Sequence, residues 1–379
     1  MGVLMMNILM INYSEITSPG GVHTTIREIA KRLSKKGHNI TVVQGNQLNL
    51  PSNEVYEGFK IIRVKSRFAD FFYGVSPAIY FYLKKDYYNL NPNIIHIHGY
   101  HTLLTFEIIS LIKKLDPDIP IVFSPHFGVF SRSSFAGKYL WNFYNKFIGK
   151  NIIKKSDIII TASEYEFGSL VKTLNVPENM IKTIPHGVGF YKFKTQRNVK
   201  DIINLLYVGN LIELKGVQFI IKAMSFLINN KEVNISLTVV GEGPYKKNLK
   251  ELAKSLNVND FIRWEGVISH SNTEELLEYY NKADIVLLLS KSENYGIVVA
   301  ESLSTGTPVI VTKRTALKEF LDENGCFGVD YPPDPEEIGN LILKIFHSQI
   351  TIDKLSPKIG TWDEVSEEYT MLYNNLVFK

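Results

Sequence analysis

The sequence predicts an α/β protein made of two doubly wound domains, each with a parallel sheet. The chain has 379 residues, more than a single core usually organises. In both halves short apolar runs alternate with stretches of helical period, the pattern of strands returning through crossover helices. Between Val188 and Asp201 neither period persists, and the stretch follows a Pro185-His186-Gly187 turn signal. The predicted first domain is therefore 1–195 and the second begins at 196.

In the first half the predicted strands are Asn7–Asn12, Asn39–Gln44, Ile94–His98, Ile119–Ser124 and Asp157–Ala162. In the second half they are Ile203–Gly209, Ile235–Gly241, Phe261–Trp264, Ala283–Ser290 and Thr307–Thr312. A helix opening at Gly20-Gly21 has apolar positions at Val22, Ile26, Ile29, Ala30 and Leu33. Another, after Lys215, has them at Val217, Ile220, Ile221 and Met224. Both spacings give one apolar face. Two such domains on one linker would leave a cleft between the carboxyl ends of their sheets, where ligands of such folds bind.

Composition is that of a globular protein, 45% hydrophobic and 21% charged. The single Cys326 excludes an intrachain disulfide framework and a thiolate zinc cage, and fits a reducing, cytoplasmic setting. No apolar run reaches the roughly 18 residues of a membrane-spanning helix. The formal charge of +4 is uneven. Residues 1–190 carry 21 Lys and Arg against 13 Asp and Glu, and the remainder 21 against 25. A basic first half suits an anionic partner, an acidic membrane surface among them. An uneven surface without function accounts for it equally, and nothing points to nucleic acid.

The most informative pair is Glu293 and Glu301, in the run Ser290-Lys291-Ser292-Glu293-Asn294-Tyr295-Gly296-Ile297-Val298-Val299-Ala300-Glu301. A strand precedes the run, a short apolar helix carries Glu301, and a further strand follows Gly306. Carboxylates in so apolar a unit are costly to bury unpartnered. Two of them suit a polyhydroxyl ligand, whose hydroxyls they can accept. At the start of the chain, Gly20 and Gly21 let backbone approach a ligand at a helix N-terminus. Lys215 precedes a helix in the second domain, where it can neutralise a diphosphate; an exposed cap lysine has the same sequence pattern. His126 follows a strand and so sits at its carboxyl edge, while His186 lies in a turn and reads as structural. His96 and His98 alternate on one strand and face one way, but no third ligand is spaced to complete a metal site.

Taken in order, these segments resemble glycosyltransferase family 4, retaining enzymes of the GT-B architecture. The likeness runs from Gly20-Gly21-Val22 and Lys36-Gly37-His38 through His96-Ile97-His98, Pro125-His126, Ala162-Ser163-Glu164 and Ile184-Pro185-His186-Gly187-Val188. It continues through Tyr207-Val208-Gly209, Lys215-Gly216, Val240-Gly241-Glu242-Gly243-Pro244 and Trp264-Glu265-Gly266 to Glu293, Glu301 and Gly306-Thr307-Pro308. The resemblance implies two Rossmann-like domains, with 196–356 binding a nucleotide sugar and 357–379 forming a helix that packs on the first domain. It implies that Glu293 contacts donor-sugar hydroxyls, Glu301 the ribose and Lys215 the diphosphate. It further implies that backbone at Asn294, Tyr295, Gly296 and Ile297 caps the phosphates and that Gly266 and Val267 touch the base. His126 would meet the transferred sugar, and Gly20 and Gly21 the phosphates or the acceptor. No metal and no cofactor is implied beyond the UDP-, GDP- or ADP-linked donor.

One position departs from the family pattern. Where relatives carry an arginine paired with the lysine, this chain has Asn210. A neutral amide supplies no charge to a diphosphate, so Lys313 or Arg314 would have to replace it, or leaving-group stabilisation is weaker. The implied activity is hexosyl transfer, an EC 2.4 reaction of glycan biosynthesis, to a glycan, lipid-linked or small polar acceptor. A nucleotide-sugar epimerase of the same architecture, or a non-catalytic nucleotide-sugar-binding subunit, are the alternatives. Residues 130–155 combine Phe135, Tyr139, Trp141, Phe143, Tyr144 and Phe147 with Lys138, Lys146, Lys150, Lys154 and Lys155, and 68–88 add Phe68, Phe71, Phe72, Tyr73 and Phe81. Such a stretch fits peripheral contact with the inner face of an anionic membrane, or a helix packed on its own domain with solvated lysines.

Overall fold

A computed structural model describes residues 5–65, 76–128, 139, 141–189, 202–268, 273–348, 350, 352 and 358–378. The chain forms two compact units, Met1–Pro185 with Trp362–Lys379, and His186–Thr361. Most of the linker read at 189–198, together with Phe68, Phe71, Phe72, Tyr73, Phe135 and Lys138, lies outside the described residues.

The first unit is built on β1 (Asn7–Ile11), β2 (Asn39–Gly45), β3 (Asn53–Tyr56), β4 (Phe59–Val64), β5 (Ile94–His98), β6 (Ile121–Ser124), β7 (Ile158–Thr161) and β8 (Ile181–Thr183). Their order across the sheet is β3-β4-β2-β1-β5-β6-β7-β8. All neighbouring pairs are parallel except β3 with β4. The inner strands are apolar on both sides because helices cover both faces; Leu9, Met10, Ile95 and Ile121 are at most 1% exposed. The helices are α1 (Gly21–Lys35), α2 (Pro77–Leu90), α3 (Leu103–Leu115), α4 (Lys150–Lys155, continuing a π-turn at Tyr144–Gly149) and α5 (Glu164–Leu174). On α1, Ile26, Ile29, Ala30 and Leu33 are buried as their spacing predicts, and Arg32 and Lys35 occupy the last turn, where they favour the helix dipole.

The second unit contains β9 (Ile203–Val208), β10 (Ile235–Val240), β11 (Ile262–Gly266), β12 (Ile285–Leu288), β13 (Val309–Thr312) and β14 (Cys326–Val329) in the order β11-β10-β9-β12-β13-β14. Every neighbouring pair is parallel. Its helices are α6 (Val217–Lys231), α7 (Lys246–Ser255), α8 (Thr273–Lys282), α9 (Ile297–Ser304) and α10 (Pro335–Ser348). The strand order reverses between β9 and β12, which is where doubly wound sheets bind ligands at their carboxyl ends. The corresponding reversal in the first unit lies between β1 and β5.

The last helix, α11 (Trp362–Val377), belongs to the first unit. It buries Trp362, Val365, Tyr369, Leu372 and Tyr373 on one face. It packs on α1, with Arg32 pairing to Asp363 at 2.7 Å and Lys36 to Glu367 at 2.6 Å. Tyr373 Oη lies 2.7 Å from His96 Nδ1 in the centre of the sheet. Two doubly wound parallel sheets and this returning helix are the GT-B fold. Among the described residues no helix is long and apolar enough to cross a membrane.

Candidate active site

The loops that follow β9 and β12 meet at the reversal point of the second sheet. After β9 the chain passes Gly209 and the exposed Asn210, then makes a short turn at Glu213–Lys215 before α6. Gly216 closes that turn at φ 80°, and a Cβ there would stand 2.0 Å from the carbonyl oxygen of Leu289. Only glycine lets the two loops approach so closely. The approach brings Lys215 Nζ to 2.6 Å from Glu293 Oε1. Ser290 Oγ donates to the same oxygen at 2.8 Å, and Thr312 Oγ1 donates to the Ser290 carbonyl at 2.6 Å. The Glu293 N–H donates to Thr315 Oγ1 at 3.0 Å, and the Ala316 N–H donates to the Glu293 carbonyl at 3.3 Å. Beneath them lies Tyr207, whose hydroxyl donates to the Asn210 carbonyl at 2.9 Å. Burial, with the Glu293 carboxylate nearby, holds the Tyr207 phenol well above its usual range.

Asn294, Tyr295 and Gly296 lead into α9. Gly296 is the N-cap at φ 110°, no side chain caps the helix, and Ile297 is its first residue. Such an end presents backbone N–H groups and the positive pole of the helix. Tyr295 is buried, its ring 5.2 Å from His186 and 5.3 Å from Phe320. Burial lowers the His186 pKa to about 4, so the imidazole stays neutral and packs. One turn along α9, Glu301 Oε2 accepts from Tyr280 Oη at 2.7 Å. Gly266 ends β11 at φ 77°, and Val267 beyond it is 48% exposed. The two candidates to replace the missing arginine are both engaged: Lys313 pairs with Asp330 at 3.4 Å, and Arg314 lies 4.9 Å over the Tyr331 ring. Among the described residues no three His, Cys, Asp or Glu side chains cluster tightly enough to hold a metal ion.

In the first unit the loop between β1 and α1 is fixed by buried charge. Glu15 pairs with Arg63 at 2.6 Å, their side chains 2% and 1% exposed, and Glu15 also accepts from the Thr17 hydroxyl at 2.9 Å. Arg27, 2% exposed, donates to the carbonyls of Ile16 and Ser18. This clamps the segment leading to Gly20, the N-cap of α1, and Gly21, its first residue. Beyond β6, His126 takes φ 48° and its Nε2 lies 3.2 Å from His98 Nδ1. The next N–H, that of Phe127, donates to Glu166 Oε1, and the Ala162 N–H donates to Glu166 Oε2 at 2.8 Å. Burial raises the Glu166 pKa to about 7. His96 is a core residue, bonded through Nε2 to Ser124 Oγ at 2.8 Å, with its pKa lowered by burial to about 3.

Thus Lys215, Glu293 and the Asn294–Ile297 segment come together in the second unit, with Asn210 on the loop before Lys215. Glu301 sits one helical turn along, Gly266 and Val267 end β11 on the other side of β9, and Gly20, Gly21 and His126 occupy strand-end loops of the first unit. Ser290, Thr315, Tyr207 and Tyr280 were missed. Ser290 had a signal, being the first polar residue past a buried strand.

The second unit of this GT-B fold thus places an acid, a base and a helix end without a side-chain cap beside the reversal in strand order. Residues 19–189 match the sequence model of Glycosyltransferase Family 4, and 190–360 that of Glycosyl transferases group 1. The chain belongs to this family and is a glycosyltransferase. An uncharacterized glycosyltransferase of Methanocaldococcus jannaschii is 24% identical over 386 residues, spanning 93% of this chain and 94% of its own. The alpha-monoglucosyldiacylglycerol synthase of Streptococcus pneumoniae is 25% identical over 347 residues, 85% of this chain and 74% of its own. Among solved structures, the sucrose-phosphate synthase of Thermosynechococcus elongatus shares the fold with a TM-score of 0.81 at 20% identity, covering 97% of this chain and 98% of that one. Anabaena HepE in complex with UDP-glucose has a TM-score of 0.69 at 14% identity, with 98% of each chain covered.

Proposed function

We propose that the protein is a retaining, metal-independent hexosyltransferase that takes its sugar from a nucleoside-diphosphate donor. The observation that carries this reading is the Lys215–Glu293 pair at 2.6 Å beside the uncapped N-terminus of α9. A diphosphate placed there meets the Lys215 ammonium and the backbone N–H groups of Asn294, Tyr295, Gly296 and Ile297, so the charge that develops on the leaving group is stabilised without a metal ion. Glu293, released from Lys215, accepts hydroxyls of the donor sugar. Glu301 accepts the ribose hydroxyls, and Gly266 and Val267 border the base. The roles at the transferred sugar for His126, and at the phosphates or the acceptor for Gly20 and Gly21, are kept in this reading as the family resemblance implies them. Leaving and attacking groups share one face of the sugar, through an oxocarbenium-like transition state. Structures of HepE with UDP-glucose and of a starch synthase IV bound to ADP and acarbose support a nucleotide-linked donor. Because Asn210 is neutral, Lys215 carries the leaving-group charge without a second cation.

The acceptor in this reading is a glycan or a lipid-linked molecule met at an anionic membrane. Phe143 and Phe147 lie with ring centroids 4.7 Å apart and are 59% and 52% exposed on the helical stretch leading into α4. Lys146, Lys150 and Lys154 are exposed on the same stretch, and no acidic residue occurs between Tyr139 and Lys155. The name of the pneumococcal relative, a glycolipid synthase, supports the same reading. The protein should float with phosphatidylglycerol vesicles at low salt; complete recovery in the soluble fraction would remove the membrane from this account. For the chemistry, mass spectrometry should detect sugar transfer from UDP-glucose, GDP-mannose or ADP-glucose. Glu293→Ala should abolish that transfer while its circular dichroism stays that of the wild type, and unchanged turnover would refute the assigned role. A protein that binds donor yet neither transfers nor hydrolyses it is instead a nucleotide-sugar-binding subunit, which Asn210 would then explain.

A further inference from the structure

Among the described residues, eight that are not glycine have positive φ. Asn91, Asn175 and Glu232 are helix C-caps, and Asn257 lies one residue past another. Glu57 makes the β3–β4 hairpin turn, and Asn49 sits in the loop after β2. Two remain, each in the loop just past the carboxyl end of a parallel strand: His126 after β6 and Thr315 after β13. Thr315, at φ 52°, is the least expected of the eight because it is β-branched. Its second substituent on Cβ crowds the backbone in the left-handed region, which a threonine adopts only when the surroundings enforce it.

What the surroundings gain is a hold on Glu293. Thr315 Oγ1 accepts the Glu293 N–H at 3.0 Å, and the next amide, Ala316, donates to the Glu293 carbonyl at 3.3 Å. Both backbone polar groups of Glu293 are therefore tied across from β12's loop to β13's. Its carboxylate is held separately, by Lys215 at 2.6 Å and Ser290 at 2.8 Å. A glycine at 315 would take the same backbone without strain but would leave the Glu293 N–H without this acceptor. We propose that Thr315 is a positioning residue for Glu293, its strained backbone retained because the hydroxyl fixes the loop that carries the carboxylate. Strain kept beside a site and offset by the surrounding structure is a recurring feature of preorganised sites. The proposal rests on the reading of Glu293 as the group that meets the donor sugar.

Three variants separate strain from hydrogen bond. Thr315→Gly removes both and should melt at or above the wild-type temperature, yet lower kcat by about 10- to 100-fold with a smaller change in donor KM, the effect of misplacing a catalytic group. Thr315→Val keeps the shape and the strain but not the acceptor, and should melt lower and lose a similar share of kcat. Thr315→Ser keeps the hydroxyl and should restore most of the rate. The assay uses whichever of UDP-glucose, GDP-mannose and ADP-glucose the wild type turns over, with Glu293→Gln alongside. Amide hydrogen exchange across residues 291–296, measured without donor, gives an independent readout: faster in the glycine and valine variants, unchanged in the serine variant. If Glu293→Gln retains full turnover, the reading of Glu293 fails, while the exchange result still decides the positioning role. Wild-type exchange in the glycine and valine variants, or wild-type kcat in them when Glu293→Gln is inactive, overturns the inference about Thr315.

Discussion

Lys215 and Glu293 hold each other while both stay open to solvent, their side chains 24% and 14% exposed. A pair of that kind is worth little as a stabilising contact, and a ligand that offers phosphate to one and hydroxyls to the other can replace it. Substituting Lys215 by Met should therefore leave the melting temperature nearly unchanged but lower kcat by roughly 100- to 1,000-fold, as losing a preorganised charge at a departing anion does. An equal loss of stability and rate would make the lysine structural. The buried titratable groups of the first unit act on stability instead. Glu166 has its pKa raised from 4.5 to about 7 by burial, so the folded state prefers the protonated acid. Its contribution is full below pH 4.5 and is lost as pH rises through about 7, roughly 3 kcal/mol in all at 1.36 kcal/mol per pKa unit. His96 works in the opposite sense: lowered from 6.5 to about 3, it contributes above pH 6.5 and loses that contribution as pH falls toward 3. Urea titrations at several pH values should show the slope between 4.5 and 7 become more positive in Glu166→Gln, and an unchanged slope would contradict the assignment. At this scale Glu293, Glu301 and Lys215 were legible because a charge beside an apolar run is conspicuous. Thr315 was not, since left-handed backbone leaves no mark on a threonine's sequence context.

Among the elements, the strands read from sequence are mostly those buried on both sides, where apolar residues run together; β11, a sheet edge, is the exception. The four that were not read are β3, β4, β8 and β14, and three of these are sheet edges. Edge strands are short and half solvated; β3 alternates between exposed and partly buried residues, and β8 has only three. The last helix, implied by the family resemblance over 357–379, forms at Trp362–Val377, and its buried positions follow the 3.6-residue period. Its hold on the first unit includes the bond of Tyr373 Oη to the buried His96 at 2.7 Å. Tyr373→Phe keeps the packing but leaves a core imidazole nitrogen without this partner. It should cost about 1–3 kcal/mol in the unfolding of that unit, and a loss below about 0.5 kcal/mol would mean water takes the place of the tyrosine hydroxyl.

For the whole molecule, length and alternating period carried the two-domain architecture, and the order of many weak motifs carried the family. That Lys215 and Glu293 would meet was legible because the loops of a doubly wound sheet converge at one topological place, the reversal between β9 and β12. No motif in the sequence marks an acceptor in the same way. The central claim, that the second unit binds a nucleotide sugar through Lys215 at that reversal point, is tested most directly by thermal unfolding with UDP-glucose, GDP-mannose and ADP-glucose, for the wild type and for Lys215→Met. Ligands that bind only the native state raise its melting temperature, by the equivalent of about 2.7 kcal/mol at a hundredfold excess over Kd. The account predicts that at least one donor raises the wild-type melting temperature and that the rise is largely lost in Lys215→Met. A wild type indifferent to all three donors, or a variant that responds as strongly, would contradict it.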